Sequence, residues 1–290
     1  MPSLTREQCL AYGSRLKERT ILITGAGSGF GRETALAFAN LGAKVVLGDV
    51  NLTGLAETVQ MVHAAHGSGV AVSAKCDVTA WDDQVALFDL GKKTFGSIDI
   101  VLPNAGISEV GLLSDHAGSG DRPTPPDMTT LEVDLIGVLY TTRLALWHFE
   151  KDTRVDPGLQ CVCFTGSLST FYGANNGPMY GASKAGILGI VKGILDHCQD
   201  SGIRAVTVCP YFTKTGLMTD DFVHPNPKQG MCNMEDVVAA FVVSITDPDH
   251  NFGCWLIPDA QGVFRMETTG QLVGAEGARR PKAEKVSAKL

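Results

Sequence analysis

Short apolar runs and longer amphipathic segments alternate along most of the chain. The short runs predict strands at 20–24, 44–48, 70–75, 98–102, 159–165, 204–209 and 254–257. Segments with apolar residues every three or four positions predict helices at 32–41, 52–66, 81–95, 129–150, 180–197, 213–222 and 235–245. Such alternation is typical of parallel strands joined by right-handed crossovers. We therefore predict an α/β fold, a single doubly wound domain with an approximately seven-stranded parallel sheet.

No internal repeat or linker divides the chain, so we predict one domain over residues 1–273. The Gly-, Pro- and Asp-rich segment 114–127 is expected to be a surface loop. Residues 274–290 are charged and weakly apolar, and we expect them to form a mobile tail. The last three residues, Ala-Lys-Leu, resemble the Ser-Lys-Leu peroxisomal address, which makes the peroxisome an alternative to the cytoplasm.

Composition limits the partners of the chain. With 31 acidic and 24 basic residues, the net charge is -7 and no basic stripe appears, which argues against nucleic acid binding. No run reaches the ~18 apolar residues of a membrane span, and the N-terminus lacks the apolar core of a signal peptide. The eight cysteines are scattered, without a Cys-x-x-Cys pair. We therefore expect buried thiols in the reducing cytoplasm, and neither disulfides nor a metal site.

A glycine-rich turn lies between the first strand and the first helix. It reads Thr-Gly-Ala-Gly-Ser-Gly-Phe-Gly over residues 24–31. At such a turn the backbone can approach a pyrophosphate, and the unpaired N–H groups at the start of the helix face it. The residues predicted to bind a dinucleotide here are Gly25, Ser28, Gly29, Phe30 and Gly31.

A carboxylate at the end of the second strand indicates which dinucleotide. Asp49 follows Gly29 by twenty residues, and a carboxylate there accepts both ribose hydroxyls and repels a 2'-phosphate. Residues 50–52 supply no cation for such a phosphate, and neither does Ser28 within the turn. The predicted cofactor is therefore NAD rather than NADP.

Two further strand ends carry residues suited to the same ligand. Asp77, followed by Val78, closes the third strand, where a carboxylate can bond an adenine edge or cap the next helix. The small residues Asn104, Ala105 and Gly106 close the fourth strand and leave room beside a dinucleotide, although they also suit a simple turn. We assign all five to the cofactor site.

A tyrosine and a lysine one helical turn apart provide the candidate chemistry. Tyr180 and Lys184 share a helix face, so the ammonium can stabilise a phenolate, which a free phenol forms only near pH ~10. Ser167, after the fifth strand, can hold a substrate oxygen where Tyr180 takes or gives a proton. A Tyr-x-x-x-Lys pair also arises by chance on solvated helices, and the surrounding motifs favour a site.

In this order and spacing, the motifs resemble those of the classical short-chain dehydrogenase/reductase family, over about residues 17–262. The resemblance implies a Rossmann fold and NAD(P)-dependent oxidoreduction. It implies that Ser167 orients the substrate oxygen, that Tyr180 is the acid/base, and that Lys184 binds the nicotinamide ribose and favours ionisation of the tyrosine.

The resemblance also extends beyond the catalytic helix. It assigns Pro210, Thr213 and Thr215 to the nicotinamide end of the cofactor site, with Thr215 on the carboxamide. Because family members commonly pack through their long helices, we expect a homodimer or homotetramer formed by segments 129–150 and 180–197.

Two positions depart from the family pattern. Asp134 stands where the family has an asparagine that supports the catalytic lysine, and its negative charge is expected to compete for Lys184 and shift the optimum pH. We therefore count Asp134 among the catalytic residues. Tyr211 follows Pro210 where a glycine is usual, and we expect its ring beside the nicotinamide pocket.

Three predicted loops near the catalytic residues are rich in apolar and aromatic side chains. They supply Leu112, Leu113, Leu168, Phe171, Tyr172, Tyr211, Phe212, Leu217, Met218, Phe222 and Met231. A lipophilic secondary alcohol or ketone suits this surface, and the chain is similar to fungal secondary-metabolite and hydroxyprostaglandin-type members of the family. We predict an NAD-dependent dehydrogenase. A cyclase or isomerase without net redox chemistry and a nucleotide-sensing binding protein remain the alternatives.

Overall fold

An eight-stranded sheet forms the centre of the computed structural model, which describes residues 3–111, 113, 122–154, 158–216, 230–259 and 262–266. The strands are β1 Thr20–Thr24, β2 Lys44–Asp49, β3 Ala71–Lys75, β4 Ile100–Leu102, β5 Cys161–Thr165, β6 Arg204–Pro210, β7 Phe252–Ile257 and β8 Phe264–Met266. Their spatial order is β3-β2-β1-β4-β5-β6-β7-β8. All pairings are parallel except that of β7 with β8. The predicted doubly wound Rossmann sheet is confirmed, with an antiparallel strand added at one edge.

Helices pack on both faces of this sheet. They are α1 Arg6–Leu10, α2 Gly29–Asn40, α3 Leu52–His66, α4 Trp81–Phe95, α5 Thr129–Leu131, α6 Gly137–Glu150, α7 Ser169–Tyr172, α8 Pro178–Ser201 and α9 Met234–Thr246. A 3-10 helix at Gly13–Leu16 precedes β1, and a π-helix at Glu132–Ile136 joins α5 to α6. Among the described residues, no helix is both long and apolar enough to cross a membrane.

Two apolar layers flank the sheet because successive strand residues point to opposite faces. In β1, Ile21 and Ile23 pack in one layer with α2, α3 and α9, whereas Leu22 packs in the other with α4, α6 and α8. Burial on both faces explains why these strands are continuous apolar runs. The eight cysteines are free and buried, and burial raises the pKa of the Cys161 thiol to about 12.

The structure corrects the predicted elements at several points. The predicted helix 129–150 contains the π-helix, which apolar periodicity does not reveal. The elements α1, α7, β8 and the 3-10 helix are too short to show a period. The predicted helix 213–222 does not form over 213–216, where Thr213 instead bridges Cys232. The rest of that helix, most of the surface loop 114–127, the domain boundary at 273 and the tail with its Ala-Lys-Leu end lie outside the described residues.

Candidate active site

A cavity of about 290 Å³ lies at the carboxyl ends of the central strands. In an open α/β sheet this edge is where ligands bind. The predicted residues that line the cavity are Gly25, Ser28, Gly29, Phe30, Asp49, Asp77, Val78, Asn104, Ala105, Gly106, Asp134, Tyr180, Lys184 and Thr215. The fold thus brings most of the predicted cofactor residues and three of the four predicted catalytic residues to one cavity.

The glycine-rich turn has a backbone that side chains would block. Gly25 and Gly29 have φ angles of 69° and 52°, which L-residues with a side chain rarely adopt. A Cβ on Gly25 would lie 2.7 Å from the Cα of Ala105. A Cβ on Gly31 would collide with the carbonyl oxygen of Gly25, so Gly31 shapes the turn without lining the cavity.

Asn104 ties three strand ends together. Its Nδ2 donates to the carbonyl oxygens of Thr24, at 2.9 Å, and Gly25, at 3.2 Å. The hydroxyl of Thr165, at the end of β5, donates to its Oδ1 at 3.2 Å. Asn104 therefore holds the start of the glycine-rich turn against β4 and β5, a role that goes beyond leaving room for a ligand.

Asp49 lines the cavity with its carboxylate fixed by backbone donors. The N–H of Gly27 donates to Oδ2 at 2.7 Å, and the N–H of Asn51 donates to Oδ1 at 2.8 Å. The guanidinium of Arg32 is directed to other partners: it donates to the carbonyl oxygens of Gly27, at 2.6 Å, and Gly54, at 3.0 Å, and pairs with a carboxylate oxygen of Glu57 at 2.8 Å. This cation is therefore committed to the turn and to α3.

Asp77 also lines the cavity, and it orders the turn that follows β3. The N–H and hydroxyl of Thr79 donate to Asp77 Oδ1 at 2.9 and 2.7 Å, and these hydrogen bonds lower the pKa of Asp77. The N-cap residue of α4 is Ala80. Asp77 therefore does not cap α4, which was the alternative role predicted for it. Its carboxylate instead accepts hydrogen bonds within the turn between β3 and α4.

At the other end of the cavity, α8 carries Tyr180 and Lys184 side by side. The Lys184 Nζ lies 5.4 Å from the centre of the Tyr180 ring. Asp134 Oδ2 lies 3.1 Å from that Nζ, and both side chains of the ion pair are buried. Burial opposes the charged form of Lys184, but the Asp134 carboxylate, together with Tyr180, raises the pKa of the lysine. The Asp134 carboxylate therefore favours the ammonium form of Lys184 against the effect of burial.

Asp134 lies at the centre of the π-helix and lines the cavity. A π-helix has a wider turn than an α-helix and is often found at functional sites. Its Oδ1 accepts a hydrogen bond of 2.7 Å from the N–H of Ile107, in the segment after β4. The carboxylate thus connects the helix of Tyr180 and Lys184 to the end of a central strand.

Comparisons with known proteins show the family of this chain. A model of the short chain dehydrogenase family matches residues 19–225 of this 290-residue chain. The chain belongs to the short-chain dehydrogenase family. It is 30% identical over 238 residues to cyclohexanol dehydrogenase of Acinetobacter sp. (strain SE19). The aligned region covers 80% of this chain and 90% of the relative.

Further relatives support the same family. The chain is 30% identical over 214 residues to 5'-hydroxyaverantin dehydrogenase of Dothistroma septosporum, with 70% of each protein covered. Among solved structures, 3-ketoacyl-(acyl-carrier-protein) reductase from Brucella melitensis, complexed with NADH, shares the fold with a TM-score of 0.70 at 23% identity, over 83% of this chain and 97% of that one. The chain is therefore an oxidoreductase of the short-chain dehydrogenase family.

Four described residues predicted for this family's site do not line the cavity. Gly31 shapes the turn, and Ser167 directly follows the lining residue Gly166, with its Oγ accepting a hydrogen bond of 3.1 Å from the N–H of Ser169. Pro210 ends β6, and the buried hydroxyl of Thr213 donates to the carbonyl oxygen of Tyr211 at 3.1 Å. Thr215, in contrast, lines the cavity.

Some residues of the site were not predicted. Lining residues missed by sequence reasoning are Val50, Cys76, Ile107, Val133, Thr165, Gly166 and Gly216. Each is next in sequence to a predicted residue except Thr165, which ends β5, so the motifs and strand ends carried a signal for them. Glu109, which contacts the start of α8, had no local motif.

The residues predicted to form the substrate pocket differ in where the structure places them. Leu112, Leu217, Met218 and Phe222 lie outside the described residues. Tyr211 packs against the core layer that contains Ile21 and Ile23, contacts Phe212, and is not among the residues that line the cavity. Tyr172, at the end of α7, is 84% exposed and Leu113 is 58% exposed, so both leave apolar surface available.

Proposed function

We propose that this chain is an NAD-dependent oxidoreductase that transfers a hydride between a lipophilic secondary alcohol, or its ketone, and the nicotinamide. The observation that carries the proposal is the arrangement of Tyr180 and Lys184 at one end of a cavity whose other end is formed by the glycine-rich turn and Asp49. A proton-transfer pair and a dinucleotide cradle at one sheet edge suit this reaction.

The residues at the cofactor end fit a dinucleotide without a 2'-phosphate. Gly25 and Gly31 give the turn a backbone that a Cβ would obstruct, which suits close approach to a pyrophosphate. Asp49 would accept the ribose hydroxyls and repel an added phosphate. Arg32, held by the carbonyl oxygens of Gly27 and Gly54, is directed away from that role. Asp77 and Val78 would border the adenine.

The side chains divide the proton chemistry among them. Ser167 would hold the substrate hydroxyl, and Tyr180 would accept its proton as the carbinol carbon is oxidised. Lys184, kept cationic by Asp134, would favour the phenolate and bind the nicotinamide ribose, with Thr215 on the carboxamide. When bound, the dinucleotide supplies the hydride acceptor. In the reducing direction, Tyr180 returns the proton to the carbonyl oxygen.

The substrate class rests on apolar surface near the catalytic end. Ile107 and Val133 line the cavity there, and Val110, Leu113 and Tyr172, the last at the end of α7, are exposed. Such surface suits an apolar skeleton better than a sugar. The relative named cyclohexanol dehydrogenase acts, by its name, on a secondary alcohol of this kind.

We also propose a homodimer or homotetramer. The long helices expose apolar side chains, among them Ile136, Leu139 and Trp147, and added Cβ atoms at Gly189 and Gly193 on α8 would meet nothing within 4 Å. Small residues permit close helix packing between subunits. Light scattering at micromolar concentration would give a dimeric or tetrameric mass, and a monomeric mass would contradict this assembly.

The proposed activity is tested by the rise of reduced-nicotinamide absorbance with NAD, and separately with NADP, against a panel of lipophilic secondary alcohols. The expected result is turnover with at least one alcohol and a higher kcat/KM with NAD. The proposal would be contradicted if the protein bound NADH but neither oxidised any alcohol nor reduced any paired ketone. That result would favour the non-redox alternative.

A further inference from the structure

The first turn of α8 receives its cap from a residue that is distant in sequence. The N-cap residue, Gly177, has no side chain to offer, and Pro178 has no N–H. The next two N–H groups, of Met179 and Tyr180, both donate to Glu109: the first to Oε1 at 3.1 Å and the second to Oε2 at 2.6 Å. These are the groups that a helix leaves unpaired at its start. One carboxylate therefore satisfies both.

The segment that carries Glu109 is itself anchored. The N–H of Ile107 donates to the buried Asp134 at 2.7 Å. The N–H of Val110 donates to the hydroxyl of Thr130 at 2.9 Å, and that hydroxyl donates to the carbonyl oxygen of Ser108 at 3.3 Å. Thr130 is also buried. The backbone on both sides of Glu109 is therefore held by the helical elements that support Lys184.

Charge strengthens the contact. The N-terminus of a helix carries partial positive charge, which a carboxylate stabilises, and hydrogen bonds to an ionised acceptor are stronger than those between neutral groups. The second N–H that Glu109 accepts belongs to Tyr180 itself. The contact thus fixes the backbone of the proposed acid/base directly, and not through an intermediate residue.

We propose that Glu109 is a positioning residue that sets Tyr180 relative to the Lys184–Asp134 pair. This inference rests on the proposed function, because it assigns Glu109 a part in proton transfer by Tyr180. The same short segment binds Asp134 through Ile107 and Tyr180 through Glu109. It therefore links the two sides of the catalytic end. A displacement of about 1 Å at a reacting group can lower a rate by as much as ~10²-fold.

The test compares Glu109→Ala, Glu109→Gln and a control, Thr5→Ala. Thr5 caps α1 through its own side chain in a capping box and does not line the cavity, so its loss removes a helix cap without touching α8. The readouts are kcat, KM for the alcohol, the Kd of NADH by fluorescence, the thermal midpoint, and hydrogen exchange of the peptide that contains Tyr180.

We expect kcat to fall about tenfold in Glu109→Ala, with the Kd of NADH within about twofold, because the proton-transfer geometry changes and the dinucleotide cradle does not. Glu109→Gln should keep part of kcat, because its one carbonyl oxygen still accepts one N–H. Thr5→Ala should lose thermal stability and keep kcat. Exchange at the amide of Tyr180 should accelerate only in the Glu109 variants.

Two results would overturn the inference. One is an unchanged kcat in folded Glu109→Ala, which would leave Glu109 a helix cap with no effect on chemistry. The other is unchanged exchange at Tyr180, which would mean that the cap does not form. Should Glu109→Ala fail to fold, Glu109→Gln decides by the same criteria. Failure of the proposed function is distinguishable, because the unsubstituted chain would then show no turnover, while the exchange measurement still tests the contact.

Discussion

The two ends of the cavity are formed by different kinds of chemical groups. At the cofactor end, glycines, backbone N–H groups and the side chain of Asn104 hold a turn in place, and Asp49 and Asp77 contribute carboxylates. At the catalytic end, the phenol of Tyr180 stands beside a buried ion pair of Lys184 and Asp134. A backbone cradle fixes where a ligand binds, whereas buried charge determines the protonation state of a reacting group.

This difference predicts two separate mutational signatures. Changes at the catalytic end should alter rate or pH dependence and leave the affinity for NADH nearly unchanged. Changes at the cofactor end should alter affinity or cofactor preference and leave the chemistry of the bound complex nearly unchanged. Each of the following substitutions either preserves this separation or breaks it.

The largest effect is expected from Tyr180→Phe, which removes the phenolic hydroxyl and keeps the ring. Loss of the acid/base should lower kcat by at least ~10²-fold, while the Kd of NADH, measured by fluorescence, stays within about twofold. Tyr12→Phe, at a tyrosine exposed on the surface away from the cavity, is the matched control and should retain full activity. A fully active Tyr180→Phe variant would show that another group transfers the proton.

Next in size is Gly25→Ala at the cofactor end. The φ of 69° and the approach of an added Cβ to within 2.7 Å of the Cα of Ala105 make alanine unfavourable there. We expect the affinity for NADH to fall by at least about tenfold, equivalent to about 1.4 kcal/mol. Gly69→Ala is the control, because an added Cβ there meets nothing within 4 Å. Equal affinities for NADH in the two variants would contradict a role of the glycine-rich turn in cofactor binding.

Asp134→Asn should change the pH dependence of kcat. In the unsubstituted chain the pKa of Lys184 is raised, so the contribution of the ion pair to stability is complete below the ordinary lysine pKa and is lost as pH rises through the raised value. Without the carboxylate, the largest contribution that opposes burial is lost, and the pKa of the lysine falls. The alkaline limit of kcat should therefore move to lower pH. A superimposable pH profile of kcat for the two proteins would contradict the role given to Asp134.

The smallest effect is expected from Asp49→Asn, which keeps the shape of the side chain and removes its charge. Removing the repulsion of a 2'-phosphate, worth about 1 kcal/mol across a solvent-filled gap, should lower the NAD-to-NADP ratio of kcat/KM about fivefold. Initial rates with each cofactor measure it. A ratio that does not change would mean that another feature selects the cofactor.

The same contrast explains which parts of the molecule could be predicted from sequence. The strands and long helices follow from apolar periodicity, and helices 52–66 and 81–95 match α3 and α4 residue for residue. The cofactor end is encoded in short motifs at strand ends, where parallel topology brings their residues together. Tyr180 and Lys184 are likewise a local pair, set by the helical repeat.

Contacts that cross the sheet edge were harder to predict. The position of Asp134 was recognised only as a departure from a family pattern, and its distance to Lys184 depends on the π-helix, which has no periodic signal. Glu109 lies 71 residues before Tyr180, and its side chain meets the catalytic helix only because β4 and β5 are neighbours. The packing of the Tyr211 ring against a core layer and Phe212 likewise has no local sequence signal.

Hydride transfer itself can be observed with a secondary alcohol that carries deuterium on its carbinol carbon. The protein would be incubated with NAD and the deuterated form of an alcohol that is active in the panel. The masses of the dinucleotide and of the organic product would then be measured by mass spectrometry. The account predicts that the reduced dinucleotide gains the deuterium and that the alcohol becomes a ketone. A product that forms while the dinucleotide stays oxidised and unlabelled would contradict it and indicate isomerisation or cyclisation in the same cavity.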